Sequence, residues 1–124
     1  MANGLSLAYL GDAVYELRIR EHLMKKGFGK VADLHRMAIR FTSASGQAMA
    51  IEGVMACLSD EELAVFKRGR NAPSTHKPKN IDLATYHQAT GFESVLGYLY
   101  LESQQERLEE LIGKSIVIIE ENSG

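Results

Sequence analysis

The stretch Leu7-Ala8-Tyr9-Leu10-Gly11-Asp12-Ala13-Val14-Tyr15-Glu16-Leu17 constrains this chain more than any other. Leu7, Leu10, Val14 and Leu17 recur at helical spacing, which predicts a core-facing amphipathic helix. Gly11 and Asp12 sit in its middle. A carboxylate in so apolar a segment has two readings. It is a solvated residue on the outer face, as charged helix residues usually are. Otherwise it stands at a groove where a cation or a donor offsets its desolvation. The spacing by itself favours the solvated reading.

The helix around it is expected from about Leu5 to about Lys26, with Asn3 as cap and Gly27 and Gly29 as stop signals. A second helical pattern covers roughly Lys30 to Phe41, with Val31, Leu34, Met37, Ala38 and Phe41 apolar. Thr42, Ser43 or Ser45 can end it or cap the next helix, near Ser45 to Leu58, which is rich in Gly and Ala. Ser59-Asp60-Glu61-Glu62 has the form of a capping box and opens a short helix to about Arg68. From Lys67 to Lys79 the chain is basic, with Lys67, Arg68, Arg70, Lys77 and Lys79 uninterrupted by an acid. Gly69, Pro73 and Pro78 predict an irregular loop there. A solvated loop is the ordinary reading, and its length favours phosphate binding as the functional one.

A strong helix is predicted from about Asp82 to Glu102, with an apolar stripe of Leu83, Tyr86, Ala89, Phe92, Leu96 and Leu99. Glu93 stands in this helix as Asp12 stands in the first. A last helix, about Gln105 to Glu120, carries Leu108, Leu111, Ile112, Ile116 and Ile119. Its acids Glu106, Glu109, Glu110, Glu120 and Glu121 read as a solvated face. The expectation is an all-α chain of five to seven helices, residues 1–124 forming one domain.

Composition narrows the function. Hydrophobic residues make up 45% and charged residues 24%, enough for one core and too ordered a mixture for a disordered chain. The formal net charge of -2 means that a nucleic-acid partner needs a local basic patch. One cysteine, Cys57, excludes an internal disulfide and a thiolate zinc cluster; its Ala- and Met-rich neighbours suggest an inert packing thiol. No apolar run is long enough to span a bilayer and no signal peptide is visible, so a cytoplasmic protein without a membrane partner is expected. His22, His35, His76 and His87 lack metal-ligand spacing, and neither Ser43 nor Ser45 has a visible base partner. Two acids on two apolar helices plus a basic segment have a joint logic. Magnesium takes one or two carboxylates, activates water at a phosphodiester, and leaves the neighbouring phosphates to cations. This requires the two helices to pack side by side.

Leu7-Ala8-Tyr9-Leu10-Gly11-Asp12-Ala13-Val14 resembles the signature helix of the ribonuclease III catalytic domain. The segment Thr90-Gly91-Phe92-Glu93-Ser94-Val95-Leu96-Gly97-Tyr98-Leu99 resembles its second acidic helix. Lys67-Arg68-Gly69-Arg70-Asn71-Ala72 and Pro78-Lys79-Asn80 further resemble the compact Mini-ribonuclease III subgroup, which lacks a double-stranded-RNA-binding domain. The resemblance implies the helical ribonuclease III endonuclease fold. It also implies a homodimer with part of the first helix in its interface, and magnesium-dependent hydrolysis of double-stranded RNA to 5′-phosphate and 3′-hydroxyl ends. The subgroup is associated with 23S precursor rRNA maturation, so precursor rRNA is the implied substrate and a ribosomal protein a possible helper. Asp12 and Glu93 match the acids with the catalytic, metal-holding role. Lys67, Arg68, Arg70, Lys77 and Lys79 are the expected phosphate contacts, with Arg36 and Arg40 as weaker ones. The sequence departs from the larger family at Ala8 and Thr90, where two further acids are usual. The alternative is therefore a catalytically weak or inactive module of this fold that binds RNA or the ribosome.

Overall fold

Side-chain caps and turns set where the helices begin and end. Asn3 Oδ1 accepts from the Ser6 amide at 2.9 Å and opens α1, Gly4–Lys25. Gly27 closes it with a φ of +103°, a conformation that glycine adopts at little cost. After α2, Val31–Thr42, Ser43 is the cap chosen among the three candidates: its Oγ accepts from the Gly46 amide at the start of α3, Ala44–Val54. A single 3₁₀ turn, Met55–Cys57, leads to α4, Asp60–Arg70, which starts on the expected capping box of Ser59 and Glu62. Asp82 caps α5, Leu83–Leu101, and α6 spans Gln105–Asn122. The computed structural model describes residues 3–73 and 78–122, and among these there is no strand. The all-α expectation holds.

The centre of the fold is α5. From Ala89 to Leu99 it is buried on nearly every side, as a helix apolar all round should be. Helices α1, α3 and α4 pack around it, and α6 lies across α3. The core joins Leu7, Val14, Tyr15, Ile19 and Leu23 of α1 to Phe41, Ile51, Phe66, Phe92, Leu96, Leu99, Leu108, Leu111 and Ile119.

Backbones meet where α1 crosses α5. A Cβ at Gly11 would run into the Glu93 carbonyl, and one at Gly97 into the Leu7 carbonyl. Ser94 Oγ lies 2.8 Å from both Gly4 O and Thr90 O, tying the start of α1 to the middle of α5. This crossing supplies the side-by-side packing that a joint role for Asp12 and Glu93 requires.

Several expectations need correction. Leu17 is 55% exposed, because the buried face of α1 continues through Tyr15, Ile19 and Leu23. Leu83, at the first turn of α5, is 52% exposed. The basic segment does not start as a loop: α4 runs on to Arg70, so Lys67, Arg68 and Arg70 form its last turn. Gly69 does not break that turn, because its bare Cα packs against Ser94 and Gly91 of α5. Basic residues at a helix C-terminus also suit its dipole. Cys57 is exposed rather than packed, with Lys114 Nζ 3.7 Å from its sulfur. The acids of α6 are exposed as expected, except that Glu120 is half-buried, and several of them carry ion pairs. Glu109 pairs with Arg18 at 2.6 Å, Glu110 with Arg107 at 3.0 Å, and Glu120 with His22 and Lys26. Arg107 also grips the buried Glu62 through two bonds of 2.8 Å, which holds the Glu62 carboxyl below the usual carboxylate range. A cation therefore sits on the capping box.

Candidate active site

The α1–α5 crossing puts Asp12, beside Gly11, against Glu93. Asp12 is exposed and Glu93 half-buried, and the two carboxyls share a hydrogen bond. Burial pushes the Glu93 carboxyl up to about 9; the Asp12 hydrogen bond and charge, then Glu16, reinforce the rise, while a bond from Gln47 opposes it. Without a cation Glu93 therefore keeps its proton at neutral pH and donates it toward Asp12. Asp12 is exposed, as the solvated reading expects, and its carboxyl meets that of Glu93 at the crossing.

Two buried polar side chains, Tyr15 of α1 and Gln47 of α3, brace the site against the end of α2. Tyr15 stacks edge-on against Phe92 with ring centroids 5.1 Å apart, and its hydroxyl donates to Phe41 O at 3.1 Å. Burial, then the charges of Glu16 and Glu93, raises the Tyr15 phenol and keeps it neutral. Gln47 Nε2 donates to Thr42 O at 3.0 Å and to Glu93 Oε2 at 3.2 Å. Both residues thus satisfy carbonyls left open at the end of α2. Glu16, one turn on from Asp12, pairs loosely with Arg20 at 3.8 Å and adds to the negative field. Sequence reasoning missed Gln47 and Glu16. The i+4 spacing of Glu16 from Asp12 was a usable signal; nothing local marks Gln47.

The positions where acids are absent are filled. Ala8 is 6% exposed, and Thr90 is 7% exposed with its hydroxyl donating to Tyr86 O at 3.0 Å. Among the described residues no group of three or more His, Cys, Asp or Glu could hold a metal. A cation here would rest on two carboxylates, one of them forced to hold a proton, beside a buried Gln47 Oε1 that has no partner. That is an oxygen-rich donor set short of positive charge. It fits a hard divalent ion, which takes oxygen ligands and needs few carboxylates when it keeps its waters.

Of the expected phosphate contacts, Lys67 and Arg68 are exposed on the last turn of α4, whose Gly69 packs against Gly91 and Ser94 of α5. Arg70 lies over the Phe66 ring at 5.4 Å and bonds Asn71 Oδ1 at 3.2 Å. Lys79 is exposed; Lys77 lies outside the described residues. Arg40 is half-buried over Phe41, near the α2–α3 corner that carries Gln47. Arg36 is one turn back and pairs with Asp33 at 3.1 Å. No helix among the described residues is long and apolar enough to cross a membrane.

Comparison with known proteins places this geometry. Residues 5–104 match the ribonuclease III domain. The chain is 53% identical over 112 residues to the Mini-ribonuclease 3 of Enterococcus faecalis, covering 89% of this chain and 85% of that protein. It is 47% identical to the Mini-ribonuclease 3 of Symbiobacterium thermophilum, covering 94% of this chain and 89% of the relative. For the Mini-ribonuclease 3 of Brevibacillus brevis the identity is 45%, with 99% and 92% covered. A crystal structure of a Fusobacterium nucleatum protein superposes with a TM-score of 0.83 at 29% identity, covering 96% of this chain and 93% of the other.

The Glu93 shift has a testable sign. The carboxyl titrates at 4.5 in its ordinary state and at about 9 in the fold. Between those values the folded chain binds a proton that the unfolded chain has released, so the metal-free fold loses stability as pH rises. Glu93→Gln removes that term. In metal-free urea titrations, the stability of Glu93→Gln relative to the parent should increase steadily from pH 5 to pH 8.5. A difference independent of pH would contradict the shift.

Proposed function

We propose, on the premise that the chain belongs to the ribonuclease III domain family and is an endoribonuclease of its Mini-ribonuclease 3 group, that it hydrolyses double-stranded precursor rRNA in 23S rRNA maturation with magnesium held by Asp12 and Glu93. The contact between these two carboxyls, far apart in sequence and joined by the α1–α5 crossing, carries the proposal. When bound, magnesium supplies positive charge at the phosphodiester and lowers the pKa of water. Asp12 and Glu93 would hold the ion as carboxylates, and Gln47 would orient the Glu93 carboxylate through its 3.2 Å bond. Water oxygen bonds to phosphorus as the bond to the 3′ oxygen breaks, leaving a 5′-phosphate and a 3′-hydroxyl.

The basic turn of α4 is suited to the phosphates that flank the cut. Lys67, Arg68 and Arg70 are the principal contacts, and Lys79, Arg40 and Arg36 extend the same role. A-form RNA is read by shape, phosphates and 2′-hydroxyls, so point charges on a helix end suffice without base-specific contacts. A homodimer would present two such surfaces and raise the effective affinity. The exposed apolar residues of α1 and α2 favour it: Tyr9 is 85% exposed, Val31 80%, Met24 64% and Ile39 52%. Precursor rRNA as substrate implies work in the cytoplasm.

Asp12→Asn and Glu93→Gln are each expected to slow cleavage of a duplex from a 23S precursor end by roughly 100-fold or more, with helical circular dichroism unchanged and with chelation stopping the parent. Normal cleavage by both variants would overturn the assignment, and RNA binding without magnesium-dependent cleavage by the parent would make the chain a binding module. Removing the charges of Arg68 and Arg70 together should lower the slope of log affinity against log salt by about two; an unchanged slope would exclude the α4 turn from the interface. In sedimentation the parent should run as a dimer and Tyr9→Asp as a monomer, whereas a monomeric parent at micromolar concentration would refute the dimer.

A further inference from the structure

Gln47 is 2% exposed, in the first turns of α3. Its two amide protons are directed to Thr42 O and Glu93 Oε2. The orientation of the amide is forced. Turned over, the side chain would set its oxygen against a carbonyl and a carboxylate, two acceptors with nothing to donate. The consequence is that Oε1 is buried and has no hydrogen-bond partner. Stranding a buried amide oxygen is costly, and native structures seldom do it without a use for the atom. This one is an amide width from the nitrogen that grips Glu93, beside the two carboxyls of the α1–α5 crossing. Amide oxygens are hard donors of the kind that magnesium and calcium accept.

We propose that Gln47 is the third oxygen donor of the cation site: Nε2 positions the Glu93 carboxylate, and the unpartnered Oε1 serves the ion or its water shell. The role offsets the absence of acids at Ala8 and Thr90 with a neutral ligand that is locked in place before the ion arrives. It rests on the assignment of Asp12 and Glu93 as the cation pair. A purely structural Gln47, bracing α2 against α5, would need only its two donor bonds.

Magnesium binding to the full chain without RNA, followed by calorimetry, separates these roles. Gln47→Met keeps the length of the side chain and removes both functions; it should bind magnesium about 10- to 100-fold more weakly, with folding checked by circular dichroism. Gln47→Glu loses both donor bonds but keeps oxygens and adds charge, so it should bind magnesium at least as tightly as the parent. Parent-like affinity in a folded Gln47→Met, or tenfold weaker binding by Gln47→Glu, would overturn the proposal. Should Gln47→Met not fold, the glutamate variant decides it alone. Asp12→Asn is the reference: if magnesium still binds it as it binds the parent, or does not bind the parent, the cation pair itself fails and Gln47 with it. If Asp12→Asn abolishes binding and Gln47→Met leaves it intact, only the role of Gln47 fails.

Discussion

At Gly11 and Gly97 the backbones of α1 and α5 meet with no side chain between them. Any larger residue at either position would drive the helices apart by the width of a methyl group or more, and protein interiors do not absorb such changes without cost. The crossing fixes the distance between Asp12 and Glu93, each the neighbour of a residue at the contact. It also anchors the basic turn of α4, because Ser94, one residue after Glu93, packs against Gly69. One close approach thus aligns an acidic pair and a cationic turn on neighbouring helices.

Holding the two acids together works against the stability of the metal-free fold. Glu93 is half-buried beside an acid and within the field of Glu16, and it retains a proton well above its ordinary range. The hydrogen bond that Glu93 receives from another element is neutral. The surroundings provide neutral donors: Gln47 on Glu93, and a Tyr15 hydroxyl turned away to Phe41 O. Elsewhere the same fold neutralises acids thoroughly, as Arg107 does for Glu62 and as His22 and Lys26 do for Glu120. The contrast is what supports the proposal that the Asp12–Glu93 pair awaits a cation from outside the chain. Perturbed carboxyls of this kind cluster at working sites.

Much of this was legible in the residues. Helix caps at Asn3 and Ser59 and the stop at Gly27 are local hydrogen-bond chemistry, and local chemistry is written in short stretches of sequence. Asp12 and Glu93 stood out because each is an acid in an apolar helix. What escaped depends on long-range packing. Leu17 has the right spacing for the core and faces out, because α1 is apolar on two sides and Tyr15, Ile19 and Leu23 take the inner one. Gly69 reads as a breaker, yet it is a contact point for α5, so α4 continues through Arg70. Glu109 and Glu120 of α6 find partners on α1 and its cap some 90 residues away in sequence, which no helical pattern can reveal. Gln47 is an unremarked amide in a small-residue helix until the fold brings Glu93 to it.

The ribonuclease III fold and the endoribonuclease class follow from the comparisons; the central physical claim is that the α1–α5 crossing builds a cation site from Asp12 and Glu93. Anomalous diffraction from crystals soaked in manganese, a scattering substitute for magnesium with similar oxygen preference, tests it most directly. The account predicts a peak between the Asp12 and Glu93 carboxylates that disappears in Asp12→Asn. Manganese bound only elsewhere, or a peak there that survives the substitution, would contradict it.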